Sequence, residues 1–203
     1  MIIHDFAQNS PEWIEAHRGV ITASSFSKIL TAKTMKLSKS AEEIEHKIIA
    51  EILTDDETGE FFGNQWTERG HELEPDAVAM YEMLKDVETT PVGFITTDDG
   101  LIGCSPDRLI GEDGGLEIKC LSAHKHIEML VNKSIDEEHK PQVQGCLMVT
   151  ERKWWDVMAY HPQLPPSIVR VVRDEEYIEK LGNGLNFVLD NIKTKIKAIK
   201  GES

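Results

Sequence analysis

An α/β fold, a β-sheet layered with helices, follows from three features of the chain. Helical periodicity fills the first part, to about residue 84. Strand-like runs bounded by turn residues then crowd residues 92–120 and recur at 154–172. Helical patterns return between those runs and after them, so helices and strands alternate as layers that must cover one another. At 203 residues the chain is long enough to bury a core, and residues 1–203 are read as one domain.

The elements can be justified in order. Residues 9–18 open a helix, with Ser10 as N-cap, Pro11 at the first helical position and acids in the first turn. Gly19 breaks it, and hydroxyl residues from Thr22 to Ser25 precede a second helix to about Leu30. Residues 31–39 are polar and read as a loop. Ser40 is placed to cap a helix over 41–53, whose Ile44, Ile48, Ile49 and Ile52 share one face. From about Trp66 to Leu84 another helix carries Leu73, Ala77, Met80 and Leu84 on one stripe, with Glu74 beside it. Pro75 implies a kink, or a start just before it that would leave Glu74 near a helix N-terminus. Strands are expected at 92–96, 101–104, 154–160 and 167–172. A helix spans 137–150, with Pro141 placing Gln142 in its opening turns. A last helix covers 174–200, with Gly182-Asn183-Gly184 as a break. His124 and His126 lack a third ligand at zinc spacing and read as surface residues.

Composition narrows the function. No run approaches the ~18 apolar residues of a membrane span, and the N-terminus lacks a basic then apolar leader. Three widely spaced cysteines without C-x-x-C argue against a disulfide framework and fit the reducing cytoplasm, with Cys120 and Cys146 as core residues. The net charge of −14 is unevenly spread. Residues 16–41 hold Arg18, Lys28, Lys33, Lys36 and Lys39 without an acid, and residues 191–201 hold four lysines without an acid. A local basic face of this kind can bind phosphate while the remaining surface stays acidic.

The chemistry centres on Cys104–Cys120, where runs at 106–110 and 116–120 flank a five-residue Gly-rich turn. In this β-hairpin Glu117 and Lys119 project to one side and Ile118 to the other, while Asp107 lies across from the end of the second strand. Two carboxylates and an ammonium then converge. Such carboxylates suit a hard divalent cation, with Lys119 orienting a water or offsetting phosphate charge.

With those residues placed, the chain resembles the lambda exonuclease and YqaJ-type viral recombinase family of the PD-(D/E)xK nuclease superfamily. Four ordered blocks carry the resemblance across about residues 12–175: Glu12-Trp13 with Gly19–Ser24; Gly70–Ala77, similar to a G-x-x-x-E-x-x-A helix; Ser105-Pro106-Asp107 with Leu116–Cys120; and Gln142-Val143-Gln144. The resemblance implies a central mixed β-sheet flanked by helices. It also implies two-metal phosphodiester hydrolysis with Mg²⁺, or Mn²⁺ as substitute. By that likeness Asp107, Glu117 and the Ile118 carbonyl hold one cation, Glu74 helps hold a second, Lys119 orients the nucleophilic water and Gln142 supports the site. Trp13, Ser24 and Ser105 match positions at the terminal phosphate or scissile strand. A 5′→3′ exonuclease on linear double-stranded DNA is implied, working as a homotrimer with a single-strand annealing protein in the bacterial host of a phage or prophage.

The family's first block has arginine four residues after the tryptophan; here His17 stands there and Arg18 follows. Arg18 is the expected 5′-phosphate anchor, because guanidinium is a permanent cation with two parallel donors and imidazole is not. His17 is the alternative, and the basic loop 28–39 a third source of that contact. Other readings are a structure- or sequence-specific endonuclease and a silent DNA-binding module. The complete Glu74, Asp107, Glu117 and Lys119 set argues against silence.

Overall fold

The computed structural model describes residues 1–54 and 65–202, the side chains at 65–68 and 71 excepted. Its elements are β1 (Ile2–His4), α1 (Pro11–His17), β2 (Ile21–Thr22), α2 (Phe26–Ile29), α3 (Ala41–Leu53), α4 (Gln65–Lys85), β3 (Phe94–Thr96), β4 (Ile102–Cys104), β5 (Arg108–Ile110), β6 (Gly114–Lys119), α5 (Ala123–Asn132), α6 (Lys140–Thr150), β7 (Trp154–Ala159), β8 (Ser167–Val172) and α7 (Glu175–Lys200). Short 3₁₀ turns at Ala23–Ser25 and Glu137–His139 lead into α2 and α6. The strands form two mixed four-stranded sheets flanked by helices, in the orders β1-β3-β4-β2 and β5-β6-β7-β8. A single bridge, Thr90 to Leu109, joins the segment before β3 to β5. Among the described residues no helix is long and apolar enough to cross a membrane.

The second sheet positions the chemistry, and its two faces are covered differently. Leu116 of β6 and Met158 of β7 pack with Tyr81 of α4 and Ile110, while Trp155, Val157 and Ala159 belong to the main core with α6 and α7. Strand alternation therefore turns Leu116 and Ile118 toward α4, and Glu117 and Lys119 toward α6. The α4 face is tied by a buried polar knot. Asp156, fully buried, accepts from Tyr81 Oη at 2.7 Å and from Arg170 Nε and Nη2 at 2.8 and 2.9 Å. The Arg170 guanidinium lies 3.6 Å over the Trp154 ring, a cation–π contact that helps hold it in place.

Several expectations are corrected. β1 and α5 occupy segments where no element was anticipated: Ile2 and Ile3 pair antiparallel with β3, and Ser122 sits at the N-cap of α5. α5 turns His126 inward, fully buried with Nε2 2.8 Å from the Pro165 carbonyl, so of the two histidines only His124 is exposed. α4 runs unbroken through Pro75, leaving Glu74 in mid-helix rather than at a positive end. Proline removes one helical hydrogen bond, and the packed Ala77 and Tyr81 just beyond it hold the helix in line. α7 likewise passes through Gly182-Asn183-Gly184, because Leu181, Leu185, Val188 and Leu189 bury one continuous face that outweighs the poor propensity of glycine. Ser40 sits at the α3 N-cap with helical dihedrals, so its side chain makes no capping bond. Cys146 is buried, but Cys120 is only half-buried.

The hairpin turn also shrinks, to Gly111-Glu112-Asp113 with Gly111 at φ +51°. Gly114 and Gly115 join β6 because the Trp154 and Trp155 rings lie against them, where a Cβ would come within 2.2 and 2.4 Å of ring carbons. A similar close approach seats α6. A Cβ on Gly145 would meet the Phe26 ring at 2.1 Å. Gly145→Ala should therefore lower stability by about 1–3 kcal/mol through overpacking, read from the urea midpoint.

Candidate active site

The β5–β6 ladder ends in a way that presents a carboxylate. Its last rung pairs Arg108 with Leu116, and beyond it the Asp107 side chain replaces the strand: Oδ2 accepts the Ile118 N–H at 2.6 Å. The Lys119 carbonyl accepts from Tyr160 N on the β7 side, so by alternation the Ile118 carbonyl faces the other way, past the end of β5. On the α6 face a closed polar triangle forms. Lys119 Nζ donates to Glu117 Oε1 at 2.8 Å and to Gln142 Oε1 at 3.1 Å, and Gln142 Nε2 donates to Glu117 Oε1 at 2.9 Å. Burial, reinforced by the Glu117 charge and then Glu74, pushes the Asp107 carboxyl well above the ordinary range, against the pull of the Ile118 N–H. For Lys119, burial acts to lower the pKa, but the Glu117 charge and hydrogen bond and the Asp107 charge together carry it above its usual value.

Glu74 reaches the site from α4, on the opposite face. Its Oε1 accepts from Arg108 Nη1 at 3.1 Å, and the same Nη1 donates to the Asp107 carbonyl at 2.6 Å. Among the described residues no three His, Cys, Asp or Glu side chains stand together as a metal-holding group. What the site does offer a divalent cation is chemically apt. Two buried or half-buried carboxylates repel one another, and a backbone carbonyl lies beside them. All three are hard oxygen donors, with neither thiolate nor imidazole among them. Mg²⁺ takes one or two carboxylates and completes its shell with water and phosphate oxygens, so the donor set fits it.

A second group gathers around Ser105, two residues upstream of Asp107. His17 is buried, its ring centroid 3.8 Å from those of both Trp13 and Phe94. Nδ1 donates to the Trp13 carbonyl at 2.7 Å, because a carbonyl can only accept. Nε2 is then the acceptor for the Ser105 hydroxyl at 3.1 Å. Burial, followed by the neighbouring His4, lowers the His17 pKa to about 4, against the Trp13 bond, so the ring is neutral near pH 7. Arg18 turns elsewhere. Its Nη2 donates to the Glu51 and Thr54 carbonyls at 3.2 and 2.5 Å, at the end of α3. Gly19 follows at φ +72°, the expected left-handed helix ending. Ser24 is exposed in the 3₁₀ turn, its hydroxyl 3.1 Å from that of Thr22. In the basic stretch, Lys28 meets Glu43 at 3.3 Å and Lys33 meets Glu137 at 3.5 Å.

Three residues escaped the sequence reading. Gln8 Nε2 donates to the Val92 and Pro106 carbonyls, both at 3.0 Å, and so pins the backbone just before Asp107. Arg108 had only its place after Asp107 as a signal. His139 ends the turn before α6, its pKa lowered by burial and then by the Lys119 charge. By contrast Gln144, the second glutamine of Q-V-Q, is structural: it donates to the Val172 carbonyl at 2.9 Å and accepts from Asp174 N at 3.0 Å.

Residues 12–153 match the model of the YqaJ-like viral recombinase domain. The chain belongs to that family. Among solved structures, an alkaline exonuclease from Laribacter hongkongensis superposes with a TM-score of 0.83 at 30% identity, over 94% of this chain and 96% of that one. Its complex with dAMP gives 0.84 at 29% over the same shares. A phage-related exonuclease from Haemophilus somnus 129PT, at 17% identity, shares the fold with a TM-score of 0.69, over 89% of this chain and 96% of that one. No curated protein matches the sequence. The matched span of this YqaJ-like domain contains every residue of the Asp107–Gln142 constellation as well as Trp13, His17 and Glu74.

The neutral His17 ring has a consequence for stability. Its pKa is near 6.5 once unfolded and about 4 when folded, so its contribution is complete above pH 6.5 and is lost as pH falls toward 4. Roughly 2 kcal/mol of unfolding free energy should disappear across that window, allowing for partial solvent screening. His17→Gln should remove that part of the pH slope in urea unfolding; parallel slopes for the two proteins would contradict a buried neutral ring.

Proposed function

We propose that the protein is a Mg²⁺-dependent 5′→3′ exonuclease that degrades one strand of linear double-stranded DNA and leaves 3′ single-stranded overhangs for recombination by strand annealing. The observation that carries this reading is the Glu117–Lys119–Gln142 triangle beside the Asp107 carboxylate, in a YqaJ-like domain whose structural relatives include an alkaline exonuclease. Asp107, Glu117 and the Ile118 carbonyl would hold one divalent cation and Glu74 would help hold another, with Mn²⁺ able to substitute. Bound there, the cations supply Lewis-acid stabilisation to the attacking and leaving oxygens of an in-line displacement.

The chain's own groups supply orientation. Lys119, kept as an ammonium by Glu117 and Asp107 against the effect of burial, has no lone pair to take a proton. It acts by donating hydrogen bonds to the attacking water or the phosphoryl oxygens. Gln142 fixes the ammonium from one side and Glu117 from the other, so it enters the reaction already aimed. Residues 1–203 act as one nuclease domain. The working assembly is a homotrimer that cooperates with a single-strand annealing protein in the cytoplasm of a bacterial host.

Arg18, with Ser24 and Ser105, is assigned the 5′-phosphate, which requires it to exchange the Glu51 and Thr54 carbonyls for the phosphate. His17, neutral and bonded to Ser105, orients that hydroxyl and packs against Trp13 instead. On 5′-phosphorylated and 5′-hydroxyl duplexes, Arg18→Ala should erase the preference for the phosphorylated end and His17→Ala should largely keep it. The reverse pattern would return the anchor to His17.

Cleavage should fall at least about 10²–10³-fold in Asp107→Asn, Glu117→Gln and Lys119→Ala, while circular dichroism shows the fold retained. A time course on linear duplex labelled at one 5′ end should release labelled mononucleotide first, in Mg²⁺ and not in EDTA. Ca²⁺ should support DNA binding without hydrolysis, because its looser coordination aligns the reacting oxygens less well. Near-wild-type turnover in Lys119→Ala would remove the hairpin as the active site. Rapid cutting of covalently closed circles would replace the exonuclease with an endonuclease.

A further inference from the structure

Among the described residues, three carboxylates approach the site, and Lys119 and Arg108 are bonded to two of them. Lys119 is committed to Glu117 and Gln142. Arg108 is committed to Glu74, which reaches the site from the α4 side, and to the Asp107 carbonyl. The Arg108–Glu74 pair differs from the other arginine–carboxylate pair in this sheet. Asp156 is wholly buried and held by two nitrogens of an Arg170 that is itself 50% exposed, whereas Glu74 keeps 25% of its side chain exposed and meets Arg108, 22% exposed, through one nitrogen. A half-wet carboxylate held by a single contact exchanges partners more easily than a wholly buried one held by two. Arg108 also has somewhere to go. With Glu74, Gln8 and Asn9 it lines a cleft of about 410 Å³ that runs beside the hairpin toward Asp5 and Phe6.

We propose that Arg108 is a resident counter-cation: it occupies Glu74 in the DNA-free protein and is drawn away by a DNA backbone phosphate, which releases Glu74 to a divalent cation. This rests on the nuclease reading above and adds a coupling that the reading alone does not contain. One guanidinium nitrogen cannot serve Glu74 and a phosphate at full strength together, and phosphate offers the fork two parallel acceptors where Glu74 accepts from one nitrogen. Cation and DNA binding must then strengthen each other by the same factor, whichever binds first. Before DNA arrives, the Glu74 side remains neutralised, so the protein holds its cations weakly and does not assemble a complete hydrolytic centre.

The test counts Mn²⁺ bound to the full-length protein by loss of the free aqua-ion signal in electron paramagnetic resonance. It is run with and without a short duplex whose 5′-terminal linkages are phosphorothioates, which keep the charge but resist hydrolysis. In wild type the duplex should tighten the weaker Mn²⁺ site. Without DNA, Arg108→Gln should bind that Mn²⁺ roughly three- to tenfold more tightly than wild type, the fold-change expected for losing one partly exposed pair. The gain produced by DNA should shrink in the variant by the same factor. Arg108→Lys, which keeps the charge with a less directional donor, should fall between the two and guards against a misfolded Gln variant. Unchanged or weaker Mn²⁺ binding in both variants, or an undiminished gain from DNA, would overturn the coupling. Mn²⁺ binding that survives Asp107→Asn and Glu117→Gln would instead overturn the metal-dependent nuclease reading, so the two failures are distinguishable.

Discussion

The bond from the Ile118 N–H to the Asp107 carboxylate does two jobs at one place. It ends the β5–β6 ladder, standing where the next rung of backbone would be, and it sets a carboxylate across from Glu117. Everything catalytic inherits this alignment. A slip of one residue would turn Glu117 and Lys119 onto the α4 face, against Tyr81 and Met158, and would deprive Gln142 of both partners. The alignment is guarded from the other edge of β6, where the rings of Trp154 and Trp155 fill the space beside Gly114 and Gly115. No other residue fits under those rings, so the two glycines fix which residues of β6 face which layer.

The site thus straddles a sheet rather than lying on it. One face brings α6, seated against Phe26 through Gly145, and with it the amide that steadies Lys119 and Glu117. The other face brings α4, held by Tyr81 and Asp156, and with it Glu74. Pro106, pinned by Gln8, carries the chain between them. Burial raises the electrostatic stakes. Asp107 is pushed toward its protonated form by burial first and then by the Glu117 and Glu74 charges, and the cost is tolerated where a cation can relieve it. Removing water also strengthens the hydrogen bonds that aim Lys119.

Much of this was legible in the chain because it is local. Alternation placed Glu117 and Lys119 together, and the Pro141 helix start placed Gln142 near the opening of α6, as found. The four-block resemblance is matched by a family model over residues 12–153. What was misread depended on contacts between distant segments. Pro75 and the Gly182–Gly184 pair look like breaks until the apolar faces of α4 and α7 are seen packed across them. β1 is three residues whose partner, β3, lies some 90 positions away. His126 is buried because α5 packs it against the loop carrying Pro165, a neighbour that spacing cannot reveal. Gln8 and Arg108 carry no motif, and their roles exist only once Val92, Pro106 and Glu74 surround them.

Gln144 gives the α6 seat a dependence on the far end of the chain. Its amide holds the Val172 carbonyl and the Asp174 N–H, so the helix that presents Gln142 is anchored to the junction of β8 and α7. β7, which backs β6 in parallel, likewise begins only at Trp154. During synthesis the Asp107 hairpin can close early, since its strands are neighbours, whereas its parallel partner and the helix across it await a long crossover. A chain still on the ribosome therefore carries the carboxylates without the lattice that aligns them. For a protein proposed to destroy DNA in the cell that makes it, competence waits on residues made well after the carboxylates themselves.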